Sequence, residues 1–207
     1  MSTGIRQNNI RHIISLEDRI AQCRRCHSLL RCTARPVLGK GDLDPDLIMV
    51  FESDSSFTRD TEKILRLRKI INNEFNCDKI YHTFMIRCKA KACTHRNNME
   101  IYSNSKLLNM DDICLLTGKK CDAVLVKASD EAALFCLPYL IEEITILNPR
   151  IVILFGSRVS EFVLKSYGIY DAEESRAVYK YKDIVFLKTS DEFNFDIEEC
   201  RLLSVLS

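Results

Sequence analysis

Apolar residues follow two rhythms along this chain. Ile10, Ile13, Ile14, Leu16 and Ile20 recur at near-helical spacing, which predicts an amphipathic helix over 9–22. Residues 23–45 break that rhythm, with Pro36, Gly39, Gly41 and Pro45 as punctuation. The run 47–51 (Leu-Ile-Met-Val-Phe) is continuously apolar, which suits a short strand buried on both faces. Residues 61–75 return to helical spacing, with Ile64, Leu67, Ile70 and Ile71 on one face. Residues 80–87 are rich in aromatic and β-branched side chains and predict a second strand.

The polar, cysteine-bearing stretch 89–127 fits neither rhythm and reads as an insertion with local structure. Ser129 is a candidate N-cap for a long helix to about 147, stopped by Asn148-Pro149. Residues 151–155 predict a third buried strand. Gly156-Ser157 turns into a helix through Tyr167, ended by Gly168. A fourth strand over 183–188 and a last helix over 196–206 complete the chain. Strands alternating with helices predict an α/β protein, a three-layer α/β/α domain around a central, mostly parallel four-stranded sheet. The expected organisation is one domain over 1–207 carrying an insertion at 89–127.

Composition narrows the class. The 207 residues are 46% hydrophobic and 29% charged, which excludes general disorder. The net charge of +1 demands no polyanionic partner, but its distribution is uneven. Residues 1–41 hold eight Arg/Lys against Glu17 and Asp18, whereas 171–200 hold nine Asp/Glu against four Arg/Lys. Such asymmetry orients a protein on a polyanion, although ordinary solvated surface gives the same count. The longest aliphatic runs are far too short to span a bilayer, so no membrane partner is expected. Residues 1–20 show no basic region leading into an apolar stretch and cleavage site, so a cytoplasmic location is expected. Disulfides are rare there and clustered cysteines more often bind metal. The chain has ten cysteines, and Cys23 and Cys26 form a CxxC pair.

Three blocks carry a resemblance. The first is Cys23-Arg24-Arg25-Cys26, followed by Leu29, Arg31, Arg35, Val37, Gly39 and Gly41. The second is the strand Tyr81-His82-Thr83-Phe84-Met85-Ile86-Arg87-Cys88. The third runs from Ser129–Glu131 through Cys136, Pro138-Tyr139-Leu140, Glu143-Ile144 and Pro149 to Ile151-Val152-Ile153-Leu154-Phe155-Gly156. In this order they resemble the iron–sulfur (family four) members of the uracil-DNA glycosylase superfamily, whose corresponding patterns are CxxCxLxxxRxxxVxGxG, YxTNxxKC and PTPEExxxCxPYLxxEIxxxxPxxIVxLG. The resemblance implies that fold and a 4Fe–4S cluster ligated by Cys23, Cys26, Cys88 and Cys136. Soft thiolates suit iron–sulfur clusters, and zinc is the alternative metal for four of them. Cys121 competes with Cys88 for the third place, because Cys88 and Cys136 lie further apart than the family's last two ligands. Cys32, Cys77, Cys93, Cys114 and Cys200 are assigned to packing.

The motifs that excise uracil are altered. Where the family has a GEAPG loop after the first strand, this chain has Phe51-Glu52-Ser53-Asp54-Ser55, which keeps only the acid. No glycine occurs between Gly41 and Gly118, so the close backbone approach that glycine permits is lost. Phe84 replaces the family's base-reading asparagine, and a phenyl ring makes no paired hydrogen bonds. Lys188-Thr189-Ser190-Asp191-Glu192 stands where the family has a histidine-proline pair. Phe51, Ser53, Asp54 and Phe84 are the candidate pocket residues and Glu52 the candidate catalytic residue. Aromatic rings are expected to fill the uracil pocket, leaving no base-sized cavity beside Glu52. Phe57 reads as a core-docking residue more than as a stacking one, and His95 as a solvated loop histidine more than as a nucleophile.

The resulting expectation is a glycosylase-fold protein that keeps its cluster and a nucleic-acid surface and lacks normal uracil excision. Candidate phosphate contacts are Arg24, Arg25, Arg31, Arg35, Lys40, Arg87 and Lys89. Two other readings stay open. One is an active glycosylase of altered specificity using Glu52 with Asp54 or Asp191. The other is an interaction module with a bound cluster and no nucleic-acid role.

Overall fold

The computed structural model describes residues 2–26, 35–92, 107–170 and 176–207. In chain order these form α1 (Ser2–Ala21), β1 (Lys40–Gly41), β2 (Leu47–Phe51), α2 (Ser56–Arg59), α3 (Thr61–Phe75), β3 (Ile80–Phe84), β4 (Lys91–Ala92), β5 (Val124–Leu125), α4 (Asp130–Leu147), β6 (Ile151–Phe155), α5 (Ser157–Ser166), β7 (Val178–Tyr181), β8 (Ile184–Thr189) and α6 (Ile197–Leu206). Among the described residues the chain is thus α/β, with six helices and a mixed six-stranded sheet of order β1-β3-β2-β6-β8-β7.

The continuous apolar runs become the inner strands. β3, β2, β6 and β8 are mutually parallel, and every residue of β2 and β3 is buried. The expected four-stranded sheet is corrected to six by two antiparallel edges. β1 pairs with β3 through Lys40 and Gly41, and β7 pairs with β8 across the two-residue turn Lys182-Asp183. Lys182 adopts φ +52 in that turn. Neither edge has the long apolar run that betrays an inner strand.

Alternation along each inner strand feeds two cores. Ile48, Val50, Tyr81, Val152, Leu154 and Phe186 pack with residues of α1, α4 and α5. Leu47, Met49, Phe51, Ile80, Phe84, Ile153 and Leu187 pack with residues of α3 and α6. The helix ends follow their sequence signals. The Asp60, Ser129 and Asp196 side chains accept from the first-turn N–H groups of α3, α4 and α6, and Asn76 and Asn148 end α3 and α4 in the left-handed region. Gly41 is required at its place, with φ +140 and room for no Cβ, which would lie 2.3 Å from the Ile80 carbonyl oxygen.

The insertion closes on itself at its base, where Lys91 and Ala92 pair antiparallel with Leu125 and Val124. Within it, bridges Leu108↔Cys114 and Ile113↔Lys120 make a small hairpin. No helix among the described residues is long and apolar enough to cross a membrane.

Candidate functional site

The sheet order decides where a ligand crevice falls. β2 is the first parallel strand; the chain next places β3 on one side of it and later β6 and β8 on the other. Connections therefore leave in opposite directions at the carboxyl ends of β2 and β6, the position where open α/β sheets bind ligands. Glu52 follows β2 there, and Gly156, with φ +92, follows β6. A cavity of about 410 Å³ opens between them, lined by Glu52, Phe155, Arg158, Lys188 and Asp191 among others.

That cavity corrects the expectation of a filled pocket beside Glu52. The aromatic filling exists but lies beneath the crevice. Phe51 stacks on Phe155 with centroids 4.8 Å apart and lies 6.2 Å from Phe84, and Phe155 meets Phe195 at 5.2 Å. Phe51 and Phe84 are core residues and are absent from the lining of that crevice. Phe57 docks as expected, edge-on to Phe193 at 5.8 Å.

Glu52, Asp54 and Asp191 each have partners. Arg158, from the first turn of α5, bonds the Glu52 carboxylate. Its Nε and Nη2 bond Asp130 at 3.0 and 2.7 Å, and Nη2 also donates to the Ala128 carbonyl at 2.9 Å. Glu52 is therefore an ion-pair partner tying β2 to α5 and the start of α4. Asp191 shares the crevice but accepts from the backbone N–H groups of Phe193 and Asn194 at 3.0 and 3.2 Å. Asp54 does not line the crevice. It pairs with Lys89 at 3.2 Å and Arg59 at 3.7 Å. Ser53 is half-buried in the same loop. Arg158 carried no sequence expectation; its signal is a cation two residues after the Gly156 turn at the strand's carboxyl end.

A second convergence lies at the cysteines of the three blocks. Cys23 and Cys26 follow the end of α1, where the Cys23 N–H still bonds the Ile20 carbonyl at 3.1 Å. α1 packs along α4 and Arg19 bonds Glu142 there, which brings this segment to Cys136 in the second turn of α4. The Cys26 thiol hydrogen-bonds Cys136, and both interact with Cys23. Burial, then the neighbouring thiols, pushes Cys26 up to about 11. Burial also raises Cys136, opposed by a hydrogen bond from the Arg87 backbone N–H and by the Arg87 charge. Cys88, the residue after Arg87, is buried at 7% exposed. The Tyr139 hydroxyl bonds Cys23, and the Arg25 guanidinium lies over the Tyr139 ring at 4.8 Å.

The thiols face one another without standing in closed coordination: among the described residues no three His, Cys, Asp or Glu side chains are arranged to hold a metal as they stand. Cys121, the competing ligand, belongs to the insertion hairpin, its N–H bonding the Asp112 carbonyl at 3.0 Å.

The candidate phosphate contacts divide. Arg24, Arg25, Arg35 and Lys40 are exposed, with Arg24 bonded to the Cys23 carbonyl at 3.0 Å and Arg25 to the Phe135 carbonyl at 3.3 Å. Lys89 is shared with Asp54. Arg87 is corrected from surface to core: it is 1% exposed and paired with Glu143. Arg31 lies outside the described residues, as do Cys32, Cys93 and His95. Glu143 was legible in the third block but unassigned; an acid on an otherwise apolar helix face, at 136, 140, 143 and 147, is its signal.

No protein-family model matches the chain, and no curated protein matches it.

Proposed function

We propose that this chain is an iron–sulfur protein of the uracil-DNA glycosylase type that binds nucleic acid and does not excise uracil. The observation that carries the reading is the approach of Cys23 and Cys26 to Cys136, from segments remote in sequence, with Cys26 and Cys136 buried. Four soft donors suit a 4Fe–4S cluster, which supplies a cross-link and an electron-accepting centre when bound. Cys23 and Cys26 would tie the end of α1, Cys88 the segment after β3, and Cys136 the second turn of α4. The raised thiols must lose protons to ligate, so loading releases protons and weakens in acid. Zinc in the same four thiolates is the competing occupant.

The loss of excision rests on what the crevice offers. A glycosylase reads a flipped base by hydrogen bonds and steadies the charge that develops as the bond breaks. Here the Glu52 carboxylate is bonded to Arg158, and Phe84 is buried in the core with no amide to offer. Arg24, Arg25, Arg35 and Lys40 supply exposed positive charge for phosphates.

A second reading is favoured by one observation. The crevice of about 410 Å³ beside Glu52 has room for a base, which suits a glycosylase of altered specificity in which substrate draws Glu52 from Arg158. The test is abasic-site formation on uracil-containing single- and double-stranded oligonucleotides, with anaerobically purified protein assayed for iron and sulfide. The expected result is a loaded cluster and no base release. Release that disappears in Glu52→Ala protein would overturn the proposal in favour of the second reading.

A further inference from the structure

The loop after β8 buries a carboxylate and leaves it without a partner. Glu192 is 9% exposed, while Asp191 and Phe193 on either side of it are exposed. An acid inside and a phenylalanine outside reverses the usual order. The loop is strapped on both sides of this residue. The Gly156 N–H bonds the Thr189 and Ser190 carbonyls at 3.2 and 3.1 Å, and Glu199 of α6 accepts from the Ser190 N–H and hydroxyl at 2.8 and 2.6 Å. The Asp191 carbonyl accepts from the N–H groups of Asn194 and Phe195 at 3.1 and 3.0 Å. Glu192 is thus held in place by its neighbours, yet it makes no hydrogen bond or ion pair itself among the described residues. Buried carboxylates are ordinarily paired, and one that is not calls for an occupant from outside the chain.

Its position says what kind of occupant. Glu192 lines the crevice of about 410 Å³ at the carboxyl ends of the parallel strands. It also borders a neighbouring opening whose lining is largely apolar, with Phe57, Leu67, Phe193 and Ile197, so a polar ligand belongs to the crevice. There Glu52 is bonded to Arg158, Asp191 accepts from backbone N–H groups, and Lys188 is engaged. The charged side chains left over are Glu192 and the exposed Lys127. Among the described residues no group of three His, Cys, Asp or Glu is arranged to hold a metal, so this lone carboxylate suits N–H donors. A carboxylate only accepts, and accepts best from two N–H groups side by side. The guanine edge offers such a pair, N1–H beside the 2-amino group. Uracil offers one N–H between two carbonyls, whose lone pairs repel a carboxylate. Cytosine and adenine each set an amino group beside an acceptor nitrogen.

We propose that Glu192 reads a guanine-type base in the crevice, accepting from its N1–H and 2-amino group, with Lys127 as the free cation for a phosphate. This deepens the nucleic-acid reading above and rests on it for the source of the base, but needs no cluster. It gives the lack of uracil excision a reason of its own, because the free acid of the crevice meets the carbonyl edge of uracil. The strapped loop holds the acceptor in position beforehand, so little ordering is lost on binding.

The test titrates the full chain by calorimetry with the 5′-monophosphates of guanosine, inosine and uridine. Inosine differs from guanosine only by the missing 2-amino group. The guanosine nucleotide should bind about tenfold or more tighter than the inosine one, and the uridine nucleotide weakest of the three. In Glu192→Gln, which keeps the shape but puts a donor where one acceptor stood, the preference for guanosine over inosine should be lost. Equal affinity for the three nucleotides in the wild-type protein, or binding of none, overturns the proposal and leaves ordered water as the partner of Glu192; neither result needs a variant to fold. A preference that survives in Glu192→Gln overturns it equally. Retention of a thymidine oligonucleotide tests the nucleic-acid reading separately. A chain that prefers the guanosine nucleotide but retains no oligonucleotide refutes that reading and upholds the site. A chain that retains the oligonucleotide but shows no such preference does the reverse.

Discussion

His82 offers the sharpest test of the packing described here. It sits mid-strand in β3, paired with Lys40 on one side and Met49 on the other, with its ring 6.3 Å from Phe51 and 6.0 Å from Phe84. The residue is 7% exposed and its Nδ1 is buried with no partner. Burial, followed by the charges of Arg68 and Lys40, pushes its pKa from 6.5 down to about 4. The folded protein therefore resists a proton that the unfolded chain accepts. The stability this contributes is fully present above the unfolded value and is lost as pH falls toward the folded one. At about 1.4 kcal/mol per tenfold in proton affinity, the whole effect is about 3 kcal/mol, of which about 2 kcal/mol is lost by pH 5. Urea unfolding of wild-type and His82→Leu protein at neutral pH and at pH 5 isolates it, because all other titrating groups are common to both. The leucine variant should gain on the wild type by about 2 kcal/mol as the pH is lowered. An NMR titration of the ring should place its midpoint near 4. Equal pH slopes in the two proteins, or a midpoint near 6.5, would refute the argument and mean that the ring finds solvent or an acceptor in the protonated form.

Three further outcomes are expected. Gly41→Ala should destabilise by at least about 2 kcal/mol in thermal unfolding, since φ +140 is strained for alanine and the new Cβ would meet the Ile80 carbonyl oxygen at 2.3 Å; a change within experimental error would show that β1 can shift. Glu52→Gln should cost at most about 1 kcal/mol by urea unfolding, because Arg158 keeps Asp130 and the Ala128 carbonyl and Glu52 is a third exposed; a larger loss would make Glu52 a structural keystone. Replacing Arg24, Arg25 and Arg35 with glutamine should weaken retention of duplex DNA of any sequence. It should also flatten the dependence of log affinity on log salt by roughly 0.9 per phosphate contact removed; an unchanged slope would remove these residues from the interface.

How much of this was legible in the sequence follows from what kind of interaction fixes each part. The inner strands and principal helices were readable because their signals are local: an apolar run for a strand buried on both faces, a capping side chain, an asparagine where a helix must turn. β2, α3, α4 and β6 match their expected spans. The edges were not readable. β1 is two residues, one of them a glycine, and exists because β3 offers an unpaired flank; nothing within Lys40-Gly41 encodes that. β7 depends on a turn, Lys182-Asp183, that lacks the Asn-Gly or Asp-Gly pair favoured there. The site divides in the same way. Residue type makes the cysteines candidates, since thiol chemistry travels with the side chain wherever it is placed. Charge did not suffice. Arg87 and Arg24 are equal as letters, yet one is sealed under α4 against Glu143 and the other lies open beside Cys23. Glu52 stands after the first inner strand, where it was read, but its partner, Arg158, arrives from a helix more distant in the chain. A carboxylate's role is set by what faces it, and the same pairing that quiets Glu52 is what any substrate in that crevice would first have to displace.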